Sequence, residues 1–322
     1  MDTTIHTSSA KKPSKVGDKK KFSLQEKRAR SAYFLVAPAL ILLFGVAGWP
    51  LIRTFFYSFT DAALDAPDDY SFVGFENYFT MFEGEAYGVL ADALWWQAVG
   101  NTLWFTFWSV SFELVLGLLF ALLMNQKFKG QGLIRAAILV PWAIPTIVTA
   151  KMWGWMFHDQ YGVINHVLTF LGLIDEKLAW IAEPDLSMWA VVFADVWKTI
   201  PFMALMLLAA LQTVPADLYE AARVDGATAW QRFWRITLPL IMPAMVVALI
   251  FRIMDALRVF DLIYVLTSNS EATISISGYA RDQIISYQEM GAGSAASVLV
   301  FMLVAGIAVS FLYASRMHKL ED

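Results

Sequence analysis

Six stretches of this chain are long and apolar enough to cross a lipid bilayer as helices, and nothing else constrains its fold as strongly. Spanning the hydrocarbon core takes about 20 predominantly apolar residues in a helix. Ser31–Ile52 and Met290–Ser315 carry no charge at all. Gly100–Gln126 carries only Glu113, Ala136–Phe157 only Lys151, and Leu186–Leu211 only Asp195 and Lys198. Ile236–Phe251 is again free of charge, and Arg252, Asp255, Arg258 and Asp261 then interrupt an apolar run that continues to Leu266. Apolar residues make up 58% of the chain and charged ones 16%, too few charges for the surface of a soluble domain of this size. Lipid cannot satisfy an exposed backbone, so each run must close its own hydrogen bonds as helix. The expectation is an all-α membrane protein with six transmembrane helices.

Basic residues orient the spans, because Lys and Arg accumulate in cytoplasmic connections. Residues 1–30 hold nine Lys or Arg against three acids, whereas Asp61–Val99 holds eight acids and no base. Lys127, Lys129 and Arg135 follow span two, and Lys177 is the only base in Asp159–Asp185. Arg223, Arg232 and Arg235 follow span four, and Arg316 and Lys319 lie at the end. The alternation places both termini in the cytoplasm of a multi-pass protein of the bacterial inner (plasma) membrane. The Lys-rich start is too polar and too long for a cleavable signal sequence. Residues 1–30 are expected to be a disordered tail whose contact is anionic lipid, with no nucleic-acid partner. Residues 31–316 form the membrane domain, and 317–322 a short cytoplasmic end.

The loop between spans four and five, about residues 212–239, is patterned more tightly than its neighbours. Pro215 can start a helix through Asp217-Leu-Tyr-Glu-Ala-Ala-Arg-Val224. Asp225-Gly226 closes it, since glycine takes the left-handed conformation readily. Thr228, three residues before Gln231, reads as a capping box opening a second helix. Pro239 and Pro243 are expected to bend that helix where it enters span five. The product is a helix–turn–helix with small residues Ala221, Ala222 and Ala227 at its turn.

Glu220-Ala221-Ala222, then Gly226, then Ile236-x-Leu238-Pro239 resembles the EAA loop of permeases in binding-protein-dependent ATP-binding-cassette importers. Further matches are similar to the carbohydrate (maltose/trehalose-type) branch: Val73-Gly-Phe-Glu-Asn-Tyr78, Leu139-Val-Pro-Trp-Ala-Ile-Pro145, Tyr161-Gly-Val-Ile-Asn165, and Phe251 to Thr267. Ser268-Asn-Ser-Glu271 departs from the Gly-Gly-Pro turn usual in relatives, which leaves the form of the third outer loop open. The resemblance implies a type I importer permease that forms half of a sugar pathway. It implies a second permease, a cytoplasmic ATPase dimer, and a periplasmic or surface-tethered sugar-binding protein as partners. It also implies that Glu220, Ala221, Ala222, Gly226, Ile236, Leu238 and Pro239 couple the chain to the ATPase. The chain has no Gly-Lys dipeptide and hence no P-loop, so it is not itself expected to be an ATPase or other enzyme.

Ionisable groups at membrane depth normally face a cavity or partner helices. Asp195, Lys198, Thr199 and Phe202 stand at i, i+3, i+4 and i+7, on one face of span four. Carboxylates, hydroxyls and an aromatic ring are what a sugar site requires. By resemblance to maltose-type permeases the pathway would comprise Asp195, Lys198, Thr199 and Phe202 with Asp255, Ala256 and Val259. A plainer reading makes Asp195 and Lys198 a structural ion pair between helices. Glu113 reads as a packing residue, and the charges from Arg252 to Asp261 as ion pairs mixed with one or two pathway contacts.

Two other substrate or mechanism classes compete. Polyols or glycerol phosphates fit the same importer class. An ion-coupled secondary transporter would explain buried charges, though not the patterned cytoplasmic loop. Cysteine is absent, and His6, His158, His166 and His318 have no metal-ligand spacing, so neither a metal nor a cofactor is expected.

Overall fold

The computed structural model describes residues 24–126 and 128–317. Most of the Lys-rich tail, Lys127 and the residues after Met317 lie outside the described residues. Helix α1, Leu24–Leu43, begins inside the stretch read as tail. A π-helical turn, Phe44–Gly48, and α2, Trp49–Tyr57, follow it. Ala32–Tyr57 is the first apolar helical run long enough to span.

From Arg53 onward the chain builds its core. A short hairpin between spans one and two pairs β1, Thr80–Phe82, with β2, Glu85–Tyr87. The turn between them uses Glu83 and Gly84, both at positive φ, the geometry that matches strand twist in a two-residue hairpin. The segment Val73–Tyr78 is held by Asn77, which donates to the carbonyls of Ser58 (3.0 Å) and Thr60 (2.7 Å). Helix α3, Ala93–Asn125, is span two, and α7, Pro184–Gln212, is span four. These two pack along their length, and at Gly117 an added Cβ would meet the Met203 side chain at 2.6 Å. Glycine there permits close helix approach, a general device where lipid supplies no hydrophobic drive. Their outer faces leave Leu103, Phe107, Val115, Leu119 and Phe193 exposed, as lipid contact requires.

Span three is not one helix. α4, Gln131–Ala143, and α5, Thr146–Met156, meet at an angle of 96°. Pro145 has no N–H to give the Pro141 carbonyl, and it drives Ile144 into an extended conformation (φ −77°, ψ 130°). The described residues therefore hold five spanning helices and one broken pair. Helix α6, Val163–Phe170, lies in the connection between spans three and four.

Helix α8, Ala216–Val224, and α9, Ala229–Arg232, form the loop between spans four and five. A π turn, Phe233–Thr237, joins α9 to α10, Leu238–Ala256, in a run of 28 residues. Pro239 cannot donate to the Arg235 carbonyl, and the ladder shifts there to i→i+5 bonding. The expected continuation of span five to Leu266 fails. α10 stops at Ala256, and α11, Asp261–Thr267, follows a break. α12, Ile276–Ile285, and α13, Met290–Met317, complete the chain.

The connection between α11 and α13 is ordered against α3. Asn101 donates to the Ile274 carbonyl (3.1 Å), and the Ile276 N–H donates to Thr102 Oγ1 (3.0 Å). Tyr279 donates to Asp92 (2.7 Å), the carboxylate that also caps α3 through Leu94 N–H. Burial, and then this hydrogen bond, push the Tyr279 phenol up from its ordinary range.

Candidate functional site

Three helices bring polar groups together at membrane depth. α3 contributes Ser109 and Glu113 one turn apart, α7 contributes Asp195, Lys198 and Thr199, and α10 contributes Arg252 and Asp255. Helical periodicity places each set on one face, and the α3–α7–α10 packing turns those faces inward.

Arg252 is the hub. Its Nε donates to Glu113 Oε2 (2.5 Å), and its Nη2 to Glu113 Oε1 (2.8 Å) and to Asp195 Oδ2. Its Nη1 donates to Asp255 Oδ2 (3.1 Å). Glu113 is fully buried and Arg252 only 2% exposed, whereas the Asp255 side chain is 70% exposed. The Ser109 hydroxyl sits between Glu113 Oε1 (2.8 Å) and Asp195 Oδ2 (2.5 Å). Thr199 Oγ1 lies 2.5 Å from Glu113 Oε1 and 2.6 Å from the Asp195 carbonyl oxygen. Each ion taken into a low-dielectric interior costs several kcal/mol, and the bidentate guanidinium with two hydroxyls offsets it. Glu113, expected to be a packing residue, is thus one half of a buried ion pair.

The expected Asp195–Lys198 pair is not formed. Asp195 is engaged by Arg252, and Lys198 Nζ donates to the Ile144 carbonyl (2.8 Å) at the α4–α5 break. The break frees that carbonyl from helical bonding, and an ammonium is a strong donor for it. Lys198 thereby ties span four to the kink of span three.

Beside the cluster lies a cavity of about 160 Å³, large enough to hold several waters. Asp195, Lys198, Thr199, Asp255, Ala256 and Val259 line it, together with Thr146, Arg258, Phe260 and Asp261. Phe202 does not. Its ring packs 6.3 Å from that of Trp142, which is not a lining residue either. The helix break after Ala256 explains why Arg258 and Asp261 also reach the lining: they follow the end of α10 instead of winding around it. Ser109, Thr146 and the hub role of Arg252 escaped sequence reasoning. Only the i, i+4 spacing of Ser109 and Glu113 signalled the first of them.

The loop between α7 and α10 is built as its sequence dictates. Gly226 N–H donates to Arg223 O (3.1 Å) and Ala227 N–H to Ala222 O (2.9 Å), with Gly226 at φ +76°. These are the two bonds of a Schellman stop, which needs a left-handed residue. Thr228 and Gln231 form the reciprocal capping box. Glu220, Ala221, Gly226 and Pro239 are exposed, while Ala222, Ile236 and Leu238 are partly buried. Val224 (88%) and Trp230 (70%) are the most exposed large apolar residues of the loop.

Residues 113–317 match the family described as binding-protein-dependent transport system inner membrane component. The trehalose/maltose transport system permease protein MalF of Thermococcus litoralis is 42% identical over 298 residues, covering 92% of this chain and 97% of that one. The trehalose transport system permease protein SugA of Mycobacterium tuberculosis is 42% identical over 285 residues, 88% of each chain. A crystal structure of a bacterial ABC transporter involved in import of the acidic polysaccharide alginate shares the fold, at a TM-score of 0.73 and 24% identity over 90% of this chain and 96% of that one. The matched region takes in Glu113, Asp195, Arg252 and Asp255 of the buried cluster and the Glu220–Pro239 loop, with Ser109 just ahead of it, and this chain belongs to the family of binding-protein-dependent transport system inner membrane components.

Proposed function

We propose that this chain forms half of the translocation pathway of an ATP-driven importer for a sugar, with a di- or oligosaccharide favoured. A second, similar permease supplies the other half. Two copies of a cytoplasmic ATPase hydrolyse ATP, and a periplasmic or surface-tethered sugar-binding protein delivers the substrate. The chain itself is a permease subunit and not an enzyme, and hydrolysis belongs to the ATPase. Relatives 42% identical over most of the chain that carry trehalose or maltose in their names support the substrate class. Both termini and the α8–α9 turn face the cytoplasm, in keeping with the distribution of Lys and Arg.

The observation that carries this reading is the cavity between α7 and the end of α10. It offers charged groups of both signs, a hydroxyl and the Phe260 ring at a depth where lipid would reject them. Such a lining suits a neutral, hydroxyl-rich solute that exchanges hydrogen bonds with water for hydrogen bonds with protein. Asp195, Lys198, Thr199, Asp255, Ala256 and Val259 are its pathway residues. Phe202 supports the wall through Trp142 instead of stacking on the solute. The exposed turn carrying Glu220, Ala221, Ala222 and Gly226 docks on the ATPase, and Ile236, Leu238 and Pro239 carry its movement into span five.

The test is reconstitution of the chain with its partner permease, the ATPase and the binding protein in liposomes, followed by uptake of labelled trehalose and maltose. ATP-dependent accumulation that ignores proton and sodium ionophores supports the reading. Uptake by the purified chain alone, or uptake driven by an ion gradient without ATP, overturns it.

A further inference from the structure

One hydroxyl contact connects the two halves of the cytoplasmic loop. Tyr219, on α8 beside Glu220, places its phenol oxygen 2.9 Å from Thr237 Oγ1. Thr237 is 5% exposed and is the last residue of the π turn Phe233–Thr237. Its hydroxyl also lies 3.4 Å from the Arg232 carbonyl, the residue before that turn. A carbonyl can only accept, and the Thr237 hydroxyl can both donate and accept, so it can donate to Arg232 while accepting from Tyr219.

The location gives this short chain its interest. The helical run from Ala229 to Ala256 has 28 residues, about 40 Å at 1.5 Å per residue. It begins at the Thr228 capping box and ends at Arg252, Asp255 and Ala256 of the cavity. α8 touches this run from outside it, and the contact falls on the one turn where the run departs from α-helical bonding. π turns are pliable interruptions that recur at functional sites. Without a side-chain tie, a displacement of α8 would be absorbed by that turn before reaching the cavity.

We propose that Tyr219 and Thr237 are positioning residues that make α8 and the span-five helix move as one body, carrying displacement of the exposed turn to the cavity. The inference rests on the reading of the turn as the ATPase docking site, and adds the side chains that transmit its movement. Glu220 and its neighbours meet the ATPase, whereas Tyr219 and Thr237 face inward and touch neither ATPase nor substrate.

The experiment uses the assembled complex with partner cysteines replaced, since this chain has none of its own. Val259→Cys, in the cavity lining, reports the state of the pathway through its reactivity with a small thiol reagent, with and without ATP. In the otherwise unaltered complex the reactivity should change several-fold on ATP addition. Tyr219→Phe and Thr237→Val should each shrink that change to less than half while ATP hydrolysis and copurification of the subunits persist. Thr237→Ser, which keeps the hydroxyl, should behave as the unaltered protein, and the Tyr219→Phe/Thr237→Val pair should be no worse than either single change. A full ATP-driven change in Tyr219→Phe and Thr237→Val overturns the proposal. So does loss of assembly in both, which would make the contact a structural support, and so does a cavity reporter that ignores ATP in the unaltered complex. Gly226→Val separates the two layers, because it strains the docking turn itself. If Gly226→Val abolishes the response and Tyr219→Phe does not, only the transmission fails. If neither does, the docking role of the turn fails as well.

Discussion

Arg252 and Asp255 are one helical turn apart and hydrogen-bonded, yet they should respond oppositely to substitution. Arg252→Met leaves Glu113 and Asp195 buried without their counter-ion, and removing one partner of a buried ion pair costs about 3–5 kcal/mol. The expected outcome is a large fall in thermal unfolding temperature in detergent, read with transport lost only as a consequence. A variant as stable as the parent would mean that the cluster is not closed by Arg252. Asp255 has most of its side chain in the cavity, where its pair with Arg252 contributes about 1 kcal/mol or less. Asp255→Asn should therefore fold and assemble normally. Its transport should fall about tenfold or more, the loss expected for a charge-assisted hydrogen bond to a solute hydroxyl of about 1.5–3 kcal/mol. Uptake measured across sugar concentrations decides it, and unchanged uptake would remove Asp255 from the pathway. Thr199 sits between these cases: its hydroxyl is already held by Glu113 and the Asp195 carbonyl, so it shapes the wall through the buried network.

Among elements, the turn after α11 shows how one conformation can be reached by different residues. Ser268 and Asn269 both sit in the left-handed region, at φ +55° and +56°, where the resemblance leads one to expect glycines. Asn269 has a reason to be there: its Nδ2 donates to Asp282 Oδ2 (2.5 Å) and it packs against Gly278, where a Cβ would collide with Oδ1 at 2.2 Å. Ser268 is exposed and makes no such contact. The left-handed conformation costs an L-residue about 1–2 kcal/mol that glycine avoids. Ser268→Gly is therefore expected to stabilise the protein, and Asn269→Gly to destabilise it through the lost Asp282 bond. Denaturation midpoints of the two variants check this, and a shift of both in one direction would contradict it. The departure from the Gly-Gly-Pro pattern thus alters the residues at this turn without removing its left-handed geometry.

At the scale of the whole molecule, the alternation of basic and acidic connections predicts one orientation for every loop at once. Cysteines placed singly at Asp68 and Asp225 in this Cys-free chain should differ in access to a membrane-impermeant thiol reagent. In intact spheroplasts Asp68→Cys should be labelled and Asp225→Cys protected, with protection lost on permeabilisation. The reverse pattern would invert the protein and place the α8–α9 turn outside. Both positions are exposed, so neither result is set by burial.

What the sequence determined by itself is whatever local chemistry and hydrophobic length decide. Apolar runs fixed where helices cross, Gly226 and the Thr228–Gln231 pair fixed the α8–α9 turn, and the spacing of Asp195, Lys198 and Thr199 fixed a polar face on span four. Those features depend on backbone conformations and periodicities within a few residues. The tertiary structure decided which charges meet. Asp195 and Lys198 are neighbours in sequence, but Arg252, 57 residues away along the chain, takes the carboxylate, and the Ile144 carbonyl freed by the Pro145 break takes the ammonium. It decided likewise that Phe202 leaves the cavity for Trp142, and that span five ends at Ala256 so that Arg258 and Asp261 reach the lining. Helical spacing gives a residue its face. Only the packing of α3, α7 and α10 gives that face its partner, because electrostatic pairing depends on distances between helices that no local pattern encodes.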